Sequence, residues 1–310
     1  METDLRVSLR RCVAYERAGI VRAVDGILHS LGRAKSYHGQ LILLKPNLIS
    51  ARGSVVACTD AEFIAAVASW FIDHGAKVIV GDSPAFGSVK KVCQKTGVSH
   101  ALAAMDVQIV EFVTPFKKEL PGGVMVKLSR EVFECDLYVG LPKIKAHNQM
   151  YMTMAMKNNF GVVKGVNKAL LHMTHGVSHD YFANIIIDIL DQLPAQLHLA
   201  DGIEVMHQSG PLDGMPLKLG CIGGAVSSLA LDSALLNLLE LDSCLCPLWC
   251  TAKARGLVGW NVADILFTDL CPADFYGSTF IPPSTLNNIR FNPVRFLFGM
   301  IKRVMEVAGG

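Results

Sequence analysis

The chain has 310 residues, 51% of them apolar, enough for one large or two modest cores. Its formal net charge of +2, without any block of like charge, argues against a nucleic-acid binder or a ligand of acidic membranes. The mean hydropathy is positive, yet the best apolar run, CIGGAVSSLALDSALLNLLELDSC, is broken by Asp232, Glu240 and Asp242, whereas a spanning helix needs about 20 nearly uncharged residues. The opening METDLRVSLRRC has early acidic residues and no apolar stretch of signal-peptide length, so a cytoplasmic protein with no membrane partner is expected.

Four short apolar runs read as strands, each ending in a polar, turn-forming cluster. The first is LILLKPN, residues 41–47. Next comes a helix over residues 59–76, TDAEFIAAVASWFIDHGA, opened by a capping box of Thr59 with Glu62 and closed by Gly75; Phe63, Ile64, Val67, Ala68 and Phe71 share one face. KVIVGDSP (77–84) and DLYVGLPKIK (136–145) are the second and third strands. SHDYFANIIIDILDQL (178–193) is a helix with Phe182, Ile185, Ile186, Ile189 and Leu193 on one stripe, stopped by Pro194. LHLADG (197–202) is the fourth strand, and FNPVRFLFGMIKRVMEVA (291–308) reads as a final amphipathic helix docked on the core. Continuous rather than alternating apolar character points to strands covered on both faces. The fold class expected is α/β: a mostly parallel sheet flanked by helices, with a smaller C-terminal α/β or helical portion. Residues 1–270 form the α/β domain, in one piece or in two lobes of about 1–140 and 141–270, and 271–310 form a helical extension.

In open parallel sheets ligands bind beyond the carboxyl ends of the strands. If the four strands are neighbours, that edge collects Lys45 and Asn47, then Asp82 and Ser83, then Lys143, Lys145 and His147, then Asp201. Positive charge predominates, which points to a small anionic partner held by lysines. Bland alternatives stand beside this: Lys45-Pro46-Asn47 as a strand exit, Asp82 as a helix cap, Asp201-Gly202 as a turn. The stretch LPKIKAHNQMYMTMAMKNNFGVVKG, 141–165, resists such a reading, because a solvated loop has no use for MYMTMAM between its polar residues. Burial there lowers lysine pKa values and suits Lys157 or His147 to move protons.

Two further groups carry metal-ligand residue types. His172, His175 and His179 recur at spacings of three and four, though Gly176 and Ser178 suggest a loop entering the next helix; hydrogen-bonding histidines are the default and a metal site the alternative. Nine cysteines in such a chain fit reduced thiols or ligands better than disulfides. Cys244, Cys246 and Cys250, with Cys271 or Cys221 as a fourth ligand, either hold an iron-sulfur cluster or a divalent metal, or pack as buried thiols. No P-loop and no GxGxxG follows a strand, so ATP and NAD have no support.

The motifs KPNL from Lys45, TDAEFIAAVASWFIDHGAKVIVGDSP at 59–84, LPKIKAH from Leu141, MKNNFGVVKG from Met156, DGIEVMHQSGP from Asp201 and SSLALDSALLNLL from Ser227 occur in the order of a known family. The chain resembles the prokaryotic family catalogued as domain of unknown function 362, often labelled as iron-sulfur proteins. The resemblance implies that Lys45, Asn47, Asp82, Lys143, Lys145, His147, Lys157, Asn158, Asp201 and Asp232 stand at family motif positions. Many relatives carry a ferredoxin segment with two four-cysteine motifs; this chain has none. The expectation is an enzyme on a small anionic metabolite, with catalytic His147, Lys157 and Asp82 (His147 or Lys157 moving a proton, Asp82 or Asp201 orienting a partner or binding a cation) and Lys45, Asn47, Ser83, Lys143, Lys145, Asn158, Asp201 and Asp232 around the ligand. An iron-sulfur electron-transfer protein using Cys244, Cys246 and Cys250, or a non-catalytic anion binder, is the alternative.

Overall fold

A computed structural model describes residues 4–85 and 87–290. Twelve strands lie in these residues: β1 Arg6–Arg11, β2 Leu41–Pro46, β3 Lys77–Asp82, β4 Val107–Glu111, β5 Pro115–Glu119, β6 Met125–Ser129, β7 Leu137–Leu141, β8 Lys143–His147, β9 Tyr151–Thr153, β10 Gln196–His207, β11 Met215–Ala225 and β12 Leu266–Phe267. The main sheet runs β12-β1-β11-β10-β7-β2-β3-β4, with β8 paired to β10 and β9 to β8. The neighbours β10, β7, β2, β3 and β4 are parallel, and within this sheet the antiparallel strand pairs among the described residues are β1 with β11, β10 with β11, and β8 with β9. The four strands expected from sequence therefore stand side by side and point the same way. β5 and β6 make a separate hairpin.

Alternation along the central strands explains their apolar runs. Ile42, Leu44, Val78, Val80, Val139, Leu141, Leu197 and Leu199 belong to one core, and Leu43, Tyr138 and Ala200 to the other. The first core takes in helices α1 (Arg17–Ser30) and α2 (Ala61–Asp73), with the short α3 (Val89–Lys95) and α4 (Val98–Ala101) beside them. The second takes in α7 (His179–Leu190), α8 (Ser228–Leu238) and α9 (Pro247–Ala254), with α5 (Ala155–Asn159) and α6 (Gly165–His175) before them. A strand buried on both faces has no polar side to alternate, which is why periodicity alone showed a solid run.

Several local expectations are corrected. The cap of α2 is Asp60, which accepts the Glu62 N–H at 2.8 Å. The Thr59 hydroxyl is committed elsewhere: it accepts from the Asn47 N–H at 2.8 Å and donates to the Leu141 carbonyl at 2.7 Å, tying the ends of β2 and β7 together. The run 136–145 is two strands, β7 and β8, separated at Pro142, and Asp201 sits inside the long β10 instead of in a turn. His172 and His175 lie within α6, with Gly176 ending it and Ser178 capping α7. The helix expected over 291–308 lies outside the described residues. Among the described residues no helix is long and apolar enough to cross a membrane.

One buried carboxylate holds the second core's short helix in place. Asp232 of α8 accepts the Ala155 and Met156 N–H groups at 2.7 and 3.0 Å, filling the N-terminus of α5. Burial pushes its pKa up to about 7. A carboxyl whose folded pKa is raised binds its proton more tightly in the folded state, so stability is fullest at low pH and falls as the pH climbs from about 4 to 7. Across that window wild type should lose up to about 1.4 kcal/mol per pH unit relative to Asp232→Asn, read from urea unfolding of both proteins.

Candidate functional site

The carboxyl ends of the central strands carry two buried ion pairs. Lys45 Nζ lies 2.8 Å from Asp82 Oδ1, and both side chains are almost fully inaccessible. Lys45 also donates to the Pro46 carbonyl at 2.9 Å and to Asn158 Oδ1 at 3.3 Å. Asp82 accepts the Leu48 and Ser83 N–H groups at 2.9 and 2.8 Å, so no lone pair of consequence is stranded. Burial pulls the Lys45 pKa down and Asp82 opposes that shift. Asn158 bridges the pair to Asn47, accepting from Asn47 Nδ2 at 3.2 Å and donating to the Lys45 carbonyl at 3.2 Å. Gly161, just after α5, permits this closeness: a Cβ there would stand 2.3 Å from Lys45 Nζ and 3.0 Å from Asp82 Oδ1.

The second pair joins β8 to β10. Lys143 Nζ is 2.9 Å from Asp201 Oδ2 and donates to the Tyr15 hydroxyl at 2.6 Å, while that hydroxyl donates to Asp201 Oδ1 at 2.8 Å. The Asp60 N–H adds a bond to Asp201 Oδ2 at 3.0 Å. Tyr15 comes from the turn between β1 and α1, far from any motif, and its phenol pKa is raised mainly by burial and then by Asp201.

Three lysines near these pairs have no carboxylate partner among the described residues. Among the described residues Lys145, 1% exposed, donates only to carbonyls, of Ala57 at 2.5 Å and Pro211 at 3.2 Å. Burial pushes its pKa down to about 8, with Lys143 and Lys45 adding repulsion. Lys157 is half-buried, with its ammonium 4.8 Å from the centre of the Phe160 ring and no hydrogen-bond partner among the described residues. Its pKa falls to about 7 through burial and then the charges of Lys145 and Lys45. Lys168, half-buried on α6, donates to the Ser83 carbonyl, and burial followed by Lys45 and Lys157 brings it to about 7 against the pull of Asp82. Sequence reasoning missed Lys168; its signal was a place one helical turn beyond Lys164, straight after the MKNNFGVVKG motif.

His147 completes the cluster as a neutral ring. Its Nδ1 accepts the Gln149 and Met150 N–H groups at 3.1 and 3.2 Å, which places the ring proton on Nε2. Burial, then Lys157 and Lys145, hold its pKa well below the usual range. Ser83 sits at the rim, accepting the Gly165 N–H at 2.9 Å.

Of the expected residues, the structure thus gathers Lys45, Asn47, Asp82, Ser83 and Asn158 into one network, Lys143 and Asp201 into a second, and sets Lys145, Lys157 and His147 within electrostatic reach. Asp232 stands apart as the anchor of α5. The thiols of the expected metal group do not share a face: Cys244 is exposed, Cys246 is buried at the start of α9, and the Cys250 thiol donates to the Cys244 carbonyl at 2.9 Å. Burial raises the pKa of Cys246 to about 12. Among the described residues no three His, Cys, Asp or Glu side chains are grouped to hold a metal ion, so this group does not fit a cluster. His172 and His179 instead hydrogen-bond the Ile289 and Asn287 carbonyls, and His175 stacks on Tyr181.

The lysine cluster is packed, with Lys157 and Lys168 on its solvent side. Two cavities lie elsewhere: one of about 550 Å³ where β1 meets α1, lined by Arg10, Arg11 and Arg22 among others, and one of about 220 Å³ beside Pro194 and Ser227.

Residues 42–237 match the family described as Domain of unknown function (DUF362). A thylakoid-associated protein from Synechocystis sp. is 32% identical over 302 residues, covering 96% of this chain and 93% of its own. Among solved structures, the lactate racemase apoprotein from Thermoanaerobacterium thermosaccharolyticum matches 73% of this chain and 55% of that chain at 13% identity, with a TM-score of 0.44. A structural-genomics protein from Thermotoga maritima matches 67% of this chain and 55% of that chain at 11% identity, with a TM-score of 0.42. The chain spans about half the length of these two structures.

Because Gly161 has no forced backbone conformation, Gly161→Ala isolates the steric effect on the Lys45–Asp82 pair. It should cost about 3 kcal/mol of unfolding free energy, the scale of a broken buried pair, as measured by urea denaturation.

Proposed function

The chain belongs to the DUF362 family, and on that premise we propose that it is an enzyme acting on a small anionic metabolite bound at Lys145, Lys157 and Lys168. One observation carries the reading: three lysines without a carboxylate partner among the described residues lie beside two fully paired ones. Lys45 and Lys143, already neutralised by Asp82 and Asp201, serve to order the strand ends. Lys157 is repelled by Lys145, and Lys168 by Lys157; with pKa values of about 7 to 8 the three are incompletely protonated near neutrality, a state that an anion relieves.

The roles follow from what each group has left to offer. Lys145 and Lys168, fixed by backbone carbonyls, hold the anion as point charges. Lys157, without a hydrogen bond among the described residues and with a pKa of about 7, moves the proton, since acid–base catalysis is most efficient when the pKa lies near the working pH. His147 keeps its Nε2–H as a neutral donor to orient an oxygen.

Binding of an anion favours the ammonium form, so it draws protons from solvent. The groups facing Lys157 electrostatically are Lys45, Lys145, Lys168, His147 and His172, with Asp82 the opposing charge near Lys168. Affinity is therefore greatest below pH 7 and declines as the pH rises through about 7 to 8. Titration calorimetry with malonate, a dicarboxylate fully ionised across this range, in buffers of different ionisation enthalpy should show uptake of a fraction of a proton or more at pH 7.5. In Lys157→Met that uptake should shrink and affinity drop about tenfold, the effect of one charge-assisted contact. Pyrophosphate is the comparison anion, and failure of both anions to bind wild type removes the proposal.

A further inference from the structure

We propose that Lys157 is a nucleophile that captures a 2-oxo carboxylate as a Schiff base, with Lys145 and Lys168 holding the carboxylate. The inference rests on the anion-site reading and adds to it a substrate class and a covalent step, in which Lys157 acts as nucleophile in place of proton carrier and Lys168 supplies the proton.

The geometry sets Lys157 apart from the other four lysines. Lys45 and Lys143 are committed to carboxylates, and Lys145 and Lys168 to backbone carbonyls. Lys157 makes no hydrogen bond among the described residues; its nitrogen rests above the Phe160 ring at 4.8 Å and is half-buried, so an incoming molecule can reach it. Its backbone is fixed, because α5 is pinned at its N-terminus by both oxygens of Asp232. An amine in an apolar setting beside other cations is the arrangement that makes a lysine nucleophilic at neutral pH. Its pKa of about 7 follows from the same surroundings.

The substrate class follows from what stands around the amine. Carbonyl addition alone asks for an aldehyde or ketone, whereas Lys145 and Lys168, each in electrostatic contact with Lys157, ask for an anion, and a 2-oxo acid supplies both. In the step, the neutral Lys157 nitrogen attacks the keto carbon and the C–N bond forms as the carbonyl π bond breaks. The carbonyl oxygen takes a proton from the Lys168 ammonium, Lys168 regains one through solvent from the attacking nitrogen, and the carbinolamine then loses water to give the imine. One amine and one ketone yield one imine and one water, with no oxidant or reductant. The neutral His147 offers its Nε2–H to the departing oxygen as a hydrogen-bond donor only.

The test is reductive trapping of the full-length protein with pyruvate and sodium borohydride at pH 7.5, followed by peptide mapping. The expected result is one reduced pyruvate adduct on Lys157, absent with acetate in place of pyruvate. Lys157→Arg keeps the charge and should abolish the adduct, while Lys168→Gln, which removes the proton donor, should lower the trapped fraction about tenfold or more. Malonate calorimetry on the same preparations separates the two readings. An unmodified Lys157 in wild type that still binds malonate overturns the covalent step alone, and loss of both overturns the anion site as well. Labelling spread evenly over surface lysines also overturns the proposal, and this holds from the wild-type map even if a variant fails to fold.

Discussion

The ion pair between Lys45 and Asp82 is the constraint around which the carboxyl edge of the sheet is organised. Moving two such charges out of water costs several kcal/mol per ion, and their attraction offsets this only if every remaining donor and acceptor is met. The loops after β2 and β3 are shaped to that requirement: the Leu48 and Ser83 N–H groups turn back onto Asp82, and the Pro46 carbonyl and Asn158 meet Lys45. The chain must also pass very close by, and Gly161 is the residue that lets it. Strand ends that would otherwise be mobile are thereby joined to α5, which carries Lys157.

The five lysines of the cluster are chemically alike and differ in what surrounds them. Two have carboxylates, and three have carbonyl oxygens or an aromatic face. A carbonyl stabilises an ammonium less than a carboxylate does, so desolvation dominates for the three and their pKa values fall into the neutral range. Their charge therefore varies with pH near neutrality. Lysine suits this better than arginine, whose guanidinium stays protonated under any such pressure.

Much of the sheet could be read from the chain because burial on both faces leaves a simple mark, a short apolar run ending in polar residues. β2, β3, β7 and β10 were legible for that reason. β1 and β11 were not: β11 lies reversed between β10 and β1, and the pairing of β1 with β11 is set by contacts across more than two hundred residues. Asp201 looked like a turn because Gly202 follows it, and only the pairing of β10 with β8 and β11 shows it as a mid-strand residue. Thr59 looked like a cap because its spacing to Glu62 fits one, yet its hydroxyl found two better partners across the sheet. The charged residues at the strand ends were legible as a set; which lysine meets which aspartate depends on strand order and could not be. Tyr15 has no local signal at all, since its role exists only once β1 and α1 bring it to Asp201.

The place of Lys157 is decided by a residue that does not touch the lysine. α5 is five residues long, too short to hold itself together, since the first turns of a helix fix several residues for each bond gained. Asp232 reverses that by meeting two N–H groups at its start, and Phe160, immediately after its end, packs beneath the lysine. The carboxylate is itself expensive where it sits, as its pKa of about 7 shows. A fully apolar residue in α8 would avoid the cost and leave α5 without an anchor. Retaining Asp232 therefore exchanges some stability for a fixed Lys157. The same exchange is made at Lys45 and Asp82, and in both places buried charge holds the backbone on which the unpaired lysines are arranged.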